Sequence, residues 1–476
     1  MISIANLPDD ILIAIFHRCT APTEDIHFSS LDATSPPWIL ACVSRSWRAI
    51  TISTPLLWAK IRIPLFLYPQ TRVWARKYKP AKVVARTQHL LQLTQKCKLD
   101  IVIVVRHYAA ITVWNELIPV ICATAPRWQR FTSDASHSFF AALQVPESFP
   151  YLEHLGLHFS PMSIQASASD EAFKKIESFR NAHALRSLAL IAIEDYSLTL
   201  ELLLPWQNIT VYSTNMGHML NNSLHLLSDI ETLHADLGHG HEDEAENDAL
   251  TARPLGAVQV FPRLTTLIID LANKYDFEHS LQPLVKTILH RLHAPSLTKL
   301  RLKITGFRFI SKPLLVHCNL DNLLDLSISD DASCLSSDIL DFWRLTPNVE
   351  VLHLRVGGEI HLNALLSDLL AFPGVPVPLQ RLKVLCLDVG RVNYPSVICK
   401  IILQRRGALD KKLWAPLEEV RIREEKSDFL DGMMLMKMAH ALETLKKEYE
   451  RQKMLLPFYE DEGIAPLRMY AVQSDF

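Results

Sequence analysis

The 476-residue sequence predicts an α/β protein: a three-helix module at the N-terminus, a long array of parallel strands with returning helices, and a C-terminal capping helix. Three observations carry this. Residues 1–63 hold two short amphipathic helical stretches closed by Ser53-Thr54-Pro55-Leu56-Leu57-Trp58. From Leu152 onward one unit recurs ten times: apolar, two variable, apolar, one variable, apolar. After Glu424 the unit stops, and Phe429 to Lys453 carries helical spacing instead. The expected segments are 1–63 for the module, 64–97 for a connector and helix, 98–425 for the strand array, and 426–476 for the capping helix and tail.

The first helix opens at Leu7-Pro8-Asp9-Asp10. Proline suits the first helical position because its missing N–H would have no partner there, and the two aspartates favour the positive end of the helix dipole. Leu7, Ile11, Leu12, Ile15, Phe16 and Cys19 then fall at helical spacing, which predicts one broad apolar face. In the second stretch Leu40, Val43, Trp47 and Ile50 recur at three, four and three, one face of a helix over 39–50. Ser53-Thr54-Pro55 opens a third short helix. Between the first two, Thr20 to Pro37 is polar and reads as a loop. Three short helices bury too little surface to stand alone, so they need the rest of the chain or a partner.

Pro64 to Pro80 reads as a connector, Ala81 to Cys97 as a helix, Leu99 to Val105 as a buried strand and Val113 to Ala125 as a helix. The repeated units are Leu152/Leu155/Leu157, Leu185/Leu188/Leu190, Ile209/Tyr212/Thr214, Ile230/Leu233/Ala235, Leu264/Leu267/Ile269, Leu297/Leu300/Leu302, Leu323/Leu326/Ile328, Val349/Leu352/Leu354, Leu382/Leu385/Leu387 and Leu417/Val420/Ile422. Their starts are 33, 24, 21, 34, 33, 26, 26, 33 and 35 residues apart. A proline precedes many of them, at 150, 205, 262, 295, 347 and 416. Proline cannot donate to a strand ladder, so it suits the entering loop. Intervening stretches such as Ala172–Phe179 and Leu281–Leu292 carry helical spacing. This is the core of a leucine-rich repeat, each unit giving a short parallel strand and a returning helix. A doubly wound α/β domain alternates elements too, but ten copies of one pattern without a glycine turn at a strand end favour the solenoid. The uneven spacing predicts uneven curvature, and the scarcity of Asn at the matching position speaks against an asparagine ladder.

Composition excludes several classes. A formal net charge of -2 gives no global case for nucleic acid or an anionic membrane. Glycine is scarce, 13 in all, and no phosphate-loop, dinucleotide-binding or nucleophile-elbow motif occurs. None of the eight cysteines lies within twelve residues of another, so there is no C-x-x-C pair for zinc or redox work. No leader pattern and no membrane-length apolar run is expected, which places the chain in a reducing compartment, cytoplasmic or nuclear. The tract 239–248 is acidic and His-bearing, and reads as a solvated loop. The long helix 429–453, with Met434, Met438, Leu442 and Leu445 on its apolar side, is expected to cover the last repeat. No catalytic constellation emerges, so no catalytic residue, metal or cofactor is expected.

The order Leu7-Pro8-Asp9-Asp10-Ile11-Leu12 with Ile15-Phe16, then Cys42-Val43-Ser44-Arg45-Ser46-Trp47-Arg48-Ala49-Ile50, then Ser53-Thr54-Pro55-Leu56-Leu57-Trp58 closely resembles the F-box. With the array behind it, the chain is similar to F-box proteins with degenerate leucine-rich repeats, of the type abundant in fungi. The resemblance implies an N-terminal three-helix F-box followed by an irregular leucine-rich-repeat solenoid, parallel strands on the concave side and helices outside. It further implies a non-enzymatic substrate receptor. Leu7, Pro8, Ile11, Leu12, Ile15, Phe16, Leu40, Val43 and Trp47 would dock the Skp adaptor of a cullin–RING (SCF) ubiquitin ligase, and the repeats would hold a target protein. The ring of Trp47 has a second reading, as a tie between the helices. The variable strand positions Lys299, Arg301, Lys303, His353 and Arg355 are the candidate target-binding residues, suited to an acidic or phosphorylated segment. Asp270 and Asp325 offer the alternative of neutralising that basic cluster from neighbouring strands. A free-standing repeat scaffold, whose N-terminal helices only cap the solenoid, is the other functional expectation; burial of Leu12 and Phe16 is the feature that would favour it.

Overall fold

The computed structural model describes residues 7–20, 29–65, 80–105, 111–135, 140, 143, 148–159, 175–192, 201–215, 220, 222–237, 258–272, 291–305, 318–330, 336–356, 379–388, 398–399, 401, 417–424, 440, 443–451 and 468–473. The chain divides into two compact units, Met1–Leu227 and Ser228–Phe476.

The first unit opens with α1 (Asp9–Cys19), α2 (Pro36–Val43), α3 (Arg45–Ser53) and a 3-10 turn at Pro55–Trp58. It continues through β1 (Lys60–Leu65), α4 (Pro80–Leu93), β2 (Leu99–Val105), α5 (Ile111–Cys122), β3 (Trp128–Ala135), β4 (His154–Phe159), β5 (Lys175–Ile176), β6 (Ser187–Ala192), β7 (Glu201–Leu202) and β8 (Val211–Thr214). Strands β1, β2, β3, β4, β6 and β8 pair in that order, every pair parallel. Strands β5 and β7 form a separate two-residue parallel ladder.

The second unit holds β9 (Thr232–Asp236), β10 (Gln259–Val260), β11 (Thr266–Ala272), β12 (Leu292–His293), β13 (Lys299–Thr305), β14 (Asp325–Asp330), α6 (Ser336–Arg344), β15 (Val351–Val356), β16 (Val384–Asp388), β17 (Glu419–Glu424) and β18 (Arg468–Gln473). Here β9, β11 and β13 to β18 pair in chain order, again all parallel, and β10 pairs with β12. The protein is therefore mixed α/β, dominated by parallel sheet.

The repeated pattern dictates this geometry residue by residue. Its second and third apolar positions enter the strands and, with a side-chain period of two, point to one face. Leu188 and Leu190, Leu300 and Leu302, and Leu352 and Leu354 are all buried. The first apolar position sits just before each strand and in several units closes a tight turn. The amides of Leu264, Leu297 and Val349 donate to the carbonyls of Phe261, Ala294 and Thr346, three residues earlier. Pro262, Pro295 and Pro347 occupy the second position of those turns, where a fixed φ is an advantage. Successive units are also tied by side chains at this corner: Ser296 Oγ donates to Pro262 O at 2.6 Å, Asn322 Nδ2 to Pro295 O at 2.9 Å and Asn348 Nδ2 to Asp321 O at 2.7 Å. The expected lack of an asparagine ladder is thus corrected in part: a short relay exists, one residue before the first apolar position.

The helical module is built onto the free edge of β1. Ser30 N donates to Arg62 O at 2.9 Å, and Arg62 N donates to Ser30 Oγ at 2.9 Å. Trp38 Nε1 donates to Ser30 O at 2.8 Å and Arg86 to Leu31 O at 3.1 Å, while the Trp38 ring lies edge-on to Trp58 at 4.7 Å. The edge amide is satisfied by a side chain rather than by another strand. Replacing Ser30 by Ala should cost about 1–3 kcal/mol, because the Arg62 amide loses its partner in a part-buried site. Hydrogen exchange at Arg62 is the measurement, and exchange as slow as in the wild type would refute this account.

Further along the row that starts with Arg62 and Val102, Gly156 lies in register beside Thr132. A Cβ there would meet Thr132 Cγ2 at 3.0 Å. Gly156→Ala should therefore destabilise the first unit by about 1–3 kcal/mol, read from its urea midpoint.

Several expectations are corrected. Pro8 is the N-cap of α1 rather than its first residue. The stretch 39–50 is two helices, because Ser44 leaves helical geometry and its Oγ caps α3 by accepting from Trp47 N at 3.1 Å. The loop to Pro37 is shorter, since α2 begins at Pro36. The presumed connector begins inside β1, whose Pro64 is tolerated on an edge strand. The stretch 172–179 is not the expected helix where it is described: Lys175–Ile176 is β5 and Phe179 lies in a turn. In 281–292 most residues lie outside the described ones, and Leu292 belongs to β12. The tail supplies β18, so the helix seen at 443–451 precedes a further strand instead of ending the array; its Leu445 is buried, and Cys399 Sγ donates to Leu445 O at 3.6 Å. Met434, Met438, Leu442 and the tract 239–248 lie outside the described residues.

Candidate functional site

Two surfaces carry the residues singled out by sequence. On the helical module the nine adaptor-docking candidates separate into core and surface. Leu12 and Phe16 are 2% and 0% exposed, and Leu40 is also buried. These three hold the helices together, which corrects their expected place on an open docking face. The cause is the short length of each helix: one apolar stripe is consumed by the other two helices and the turn behind them. Trp47 is half-buried with its ring 4.8 Å from that of Phe16, tilted by 55°, so it ties α3 to α1. Leu7 and Ile15 are half-buried. Pro8, Ile11 and Val43 remain in solvent, Ile11 45% and Val43 57% exposed. Ile39, one helical turn before Val43, and Ile52 and Leu56 are exposed as well. The i, i+4 spacing of Ile39 and Val43 was the signal that could have found Ile39.

Behind this module lies a cavity of about 60 Å³ whose walls include Trp58, Lys60, Arg62, Leu90 and Asp100. Burial raises the Asp100 carboxyl above the usual carboxylate range, against the pull of Arg130, Lys60 and His154.

The second surface is the face of the second unit's sheet opposite its leucine core. Register alone places four of the five basic candidates around Ser327 and Ser329. Arg301 and His353 flank Ser327 from β13 and β15, and Lys303 and Arg355 flank Ser329 from the same two strands. Lys299 is held elsewhere, its Nζ 2.9 Å from Asp325 Oδ2. Lys303 Nζ lies 2.9 Å from Asp270 Oδ2, and His353 Nε2 lies 3.5 Å from Asp325 Oδ1. Both aspartates therefore do neutralise part of the cluster, the alternative the sequence left open. These pairs are partly exposed, so each is worth at most about 1 kcal/mol. Further along, Glu419 is buried and pairs with Arg421 and Arg468. Cys386 is buried between His353 and Arg421 in register.

Among the described residues no group of three His, Cys, Asp or Glu is placed to hold a metal ion. No helix among them is long and apolar enough to cross a membrane. No protein-family model matches the chain, and no curated protein matches it.

Proposed function

We propose that this protein is a substrate-recognition subunit of an SCF-type ubiquitin ligase, its N-terminal helices an F-box that docks the Skp adaptor and its parallel strands a leucine-rich-repeat solenoid that holds a target protein. The observation that carries the reading is the F-box-like order of residues on a module that keeps Pro8, Ile11 and Val43 in solvent. Exposed apolar side chains on a small module are what an adaptor could bury. The chain-order pairing of strands supports the solenoid, because each repeat then touches only its neighbours. The protein would act without chemistry of its own, raising the effective concentration of target lysines beside the conjugating enzyme. Residence in the cytoplasm or nucleus follows from the same reading. Pull-down of the full chain by purified Skp adaptor is the test, and a folded chain that shows no binding would end it.

A second reading, a repeat scaffold whose helices only cap the solenoid, draws on the Ser30 hydrogen bonds that close the β1 edge and on the burial of Leu12 and Phe16. The same pull-down separates the two.

A further inference from the structure

We propose that the side chains around Ser327 and Ser329 form a binding cradle for a tetrahedral oxyanion such as a phosphate monoester. Six residues on three adjacent parallel strands make a two-by-three block: Arg301, Ser327, His353 in one row and Lys303, Ser329, Arg355 in the next. The floor is two hydroxyls between flanking rows of nitrogen donors. Leu326 and Ile328, which alternate with the serines, are buried on the other face and fix the direction of both hydroxyls.

The independent sign of a ligand is Ser329. Its Oγ is shielded from solvent and has no hydrogen-bond partner among the described residues. A buried hydroxyl without a partner is a cost that native structures rarely carry without a reason. An anion oxygen accepting that proton would remove the cost. Guanidinium groups suit the rest of the shell, because their planar donors match tetrahedral oxyanions and form strong charge-assisted bonds. Lys303 and His353 share themselves with Asp270 and Asp325, which set the side chains in place at the margins of the block. As a place for a target the cradle rests on the receptor reading, but its test does not involve the helical module, so failure of the cradle and failure of adaptor docking are told apart.

Hydrogen exchange on the full chain provides the test, with millimolar inorganic phosphate compared against sodium chloride at equal ionic strength. Phosphate should slow exchange in 325–330 and 351–356 beyond the chloride control. Ser329→Ala should weaken this effect at least about tenfold, the loss of one hydrogen bond to a charged group. Without phosphate the same variant should be as stable as the wild type or more so, because it removes an unsatisfied hydroxyl; that result shows the variant folded. A parallel titration with O-phosphoserine identifies the source: stronger protection than by phosphate indicates a phosphate carried on a partner, weaker protection a free anion, and either supports the cradle. Protection no greater than in chloride, or undiminished in Ser329→Ala, would overturn it.

Discussion

On the proposed receptor reading, the protein carrying Ile11→Asp and Val43→Asp should lose affinity for Skp adaptor by about 100-fold or more while keeping the circular dichroism of the wild type. Both side chains lie in solvent, so the charges cost the free protein little. In a complex each would place a carboxylate where an apolar contact is expected, and a buried aliphatic anchor is worth about 2 kcal/mol. Two such losses make a factor of this size. Leu12→Asp with Phe16→Asp would abolish binding too, but by putting charges into the core of the module, and it would show in the dichroism. Comparing the two pairs separates a docking surface from a collapsed one. Wild-type affinity in the folded Ile11/Val43 variant would leave the capping role as the better account of these helices.

Trp128→Ala should destabilise the first unit by about 3–5 kcal/mol, the largest effect of any single truncation considered for it. Trp128 is fully buried, stacks on Phe131 with ring centres 4.4 Å apart and lies 5.8 Å from Phe149. Phe179 joins the cluster at 5.9 Å from Phe131 and 5.5 Å from Phe149, and the indole Nε1 donates to Thr124 Oγ1 at 3.0 Å. Removing the ring leaves a cavity bordered by rigid aromatics that cannot collapse to fill it, and it strips Thr124 of its donor. Trp128→Phe should recover more than half of the loss. Exchange of the β2 to β4 amides reports it, and a cost under about 1 kcal/mol would contradict this view of the core.

The strands were the most legible part of the sequence. Leu99–Val105 is β2, and the second and third apolar positions of all ten repeated units fall in strands. A side chain that alternates between core and surface leaves a period-two record, and a fixed turn before it leaves a third apolar position at constant distance. Several strands outside the pattern were missed for the same reason. Strand β1 hides behind Pro64, and β18, Arg468–Gln473, carries no leucine at all. Connecting segments were legible only where a long apolar stripe ran, as in α4 and α5. On the functional surfaces, residue type was readable but accessibility was not. Helical spacing grouped Ile11 with Leu12 on one face, although only the fold decides which of the two meets the other helices. The basic candidates were likewise identifiable one strand at a time, whereas the serine floor they surround exists only once β13, β14 and β15 are in register.

The parallel pairing in chain order also has a consequence for synthesis. In the first unit each main strand finds its partner in the strand made just before it, and β1 finds Ser30 still earlier in the chain. No strand of that ladder must wait for a later segment to satisfy its preceding edge. Folding can therefore proceed vectorially as the chain leaves the ribosome, with the helical module as the template on which the first strand is laid.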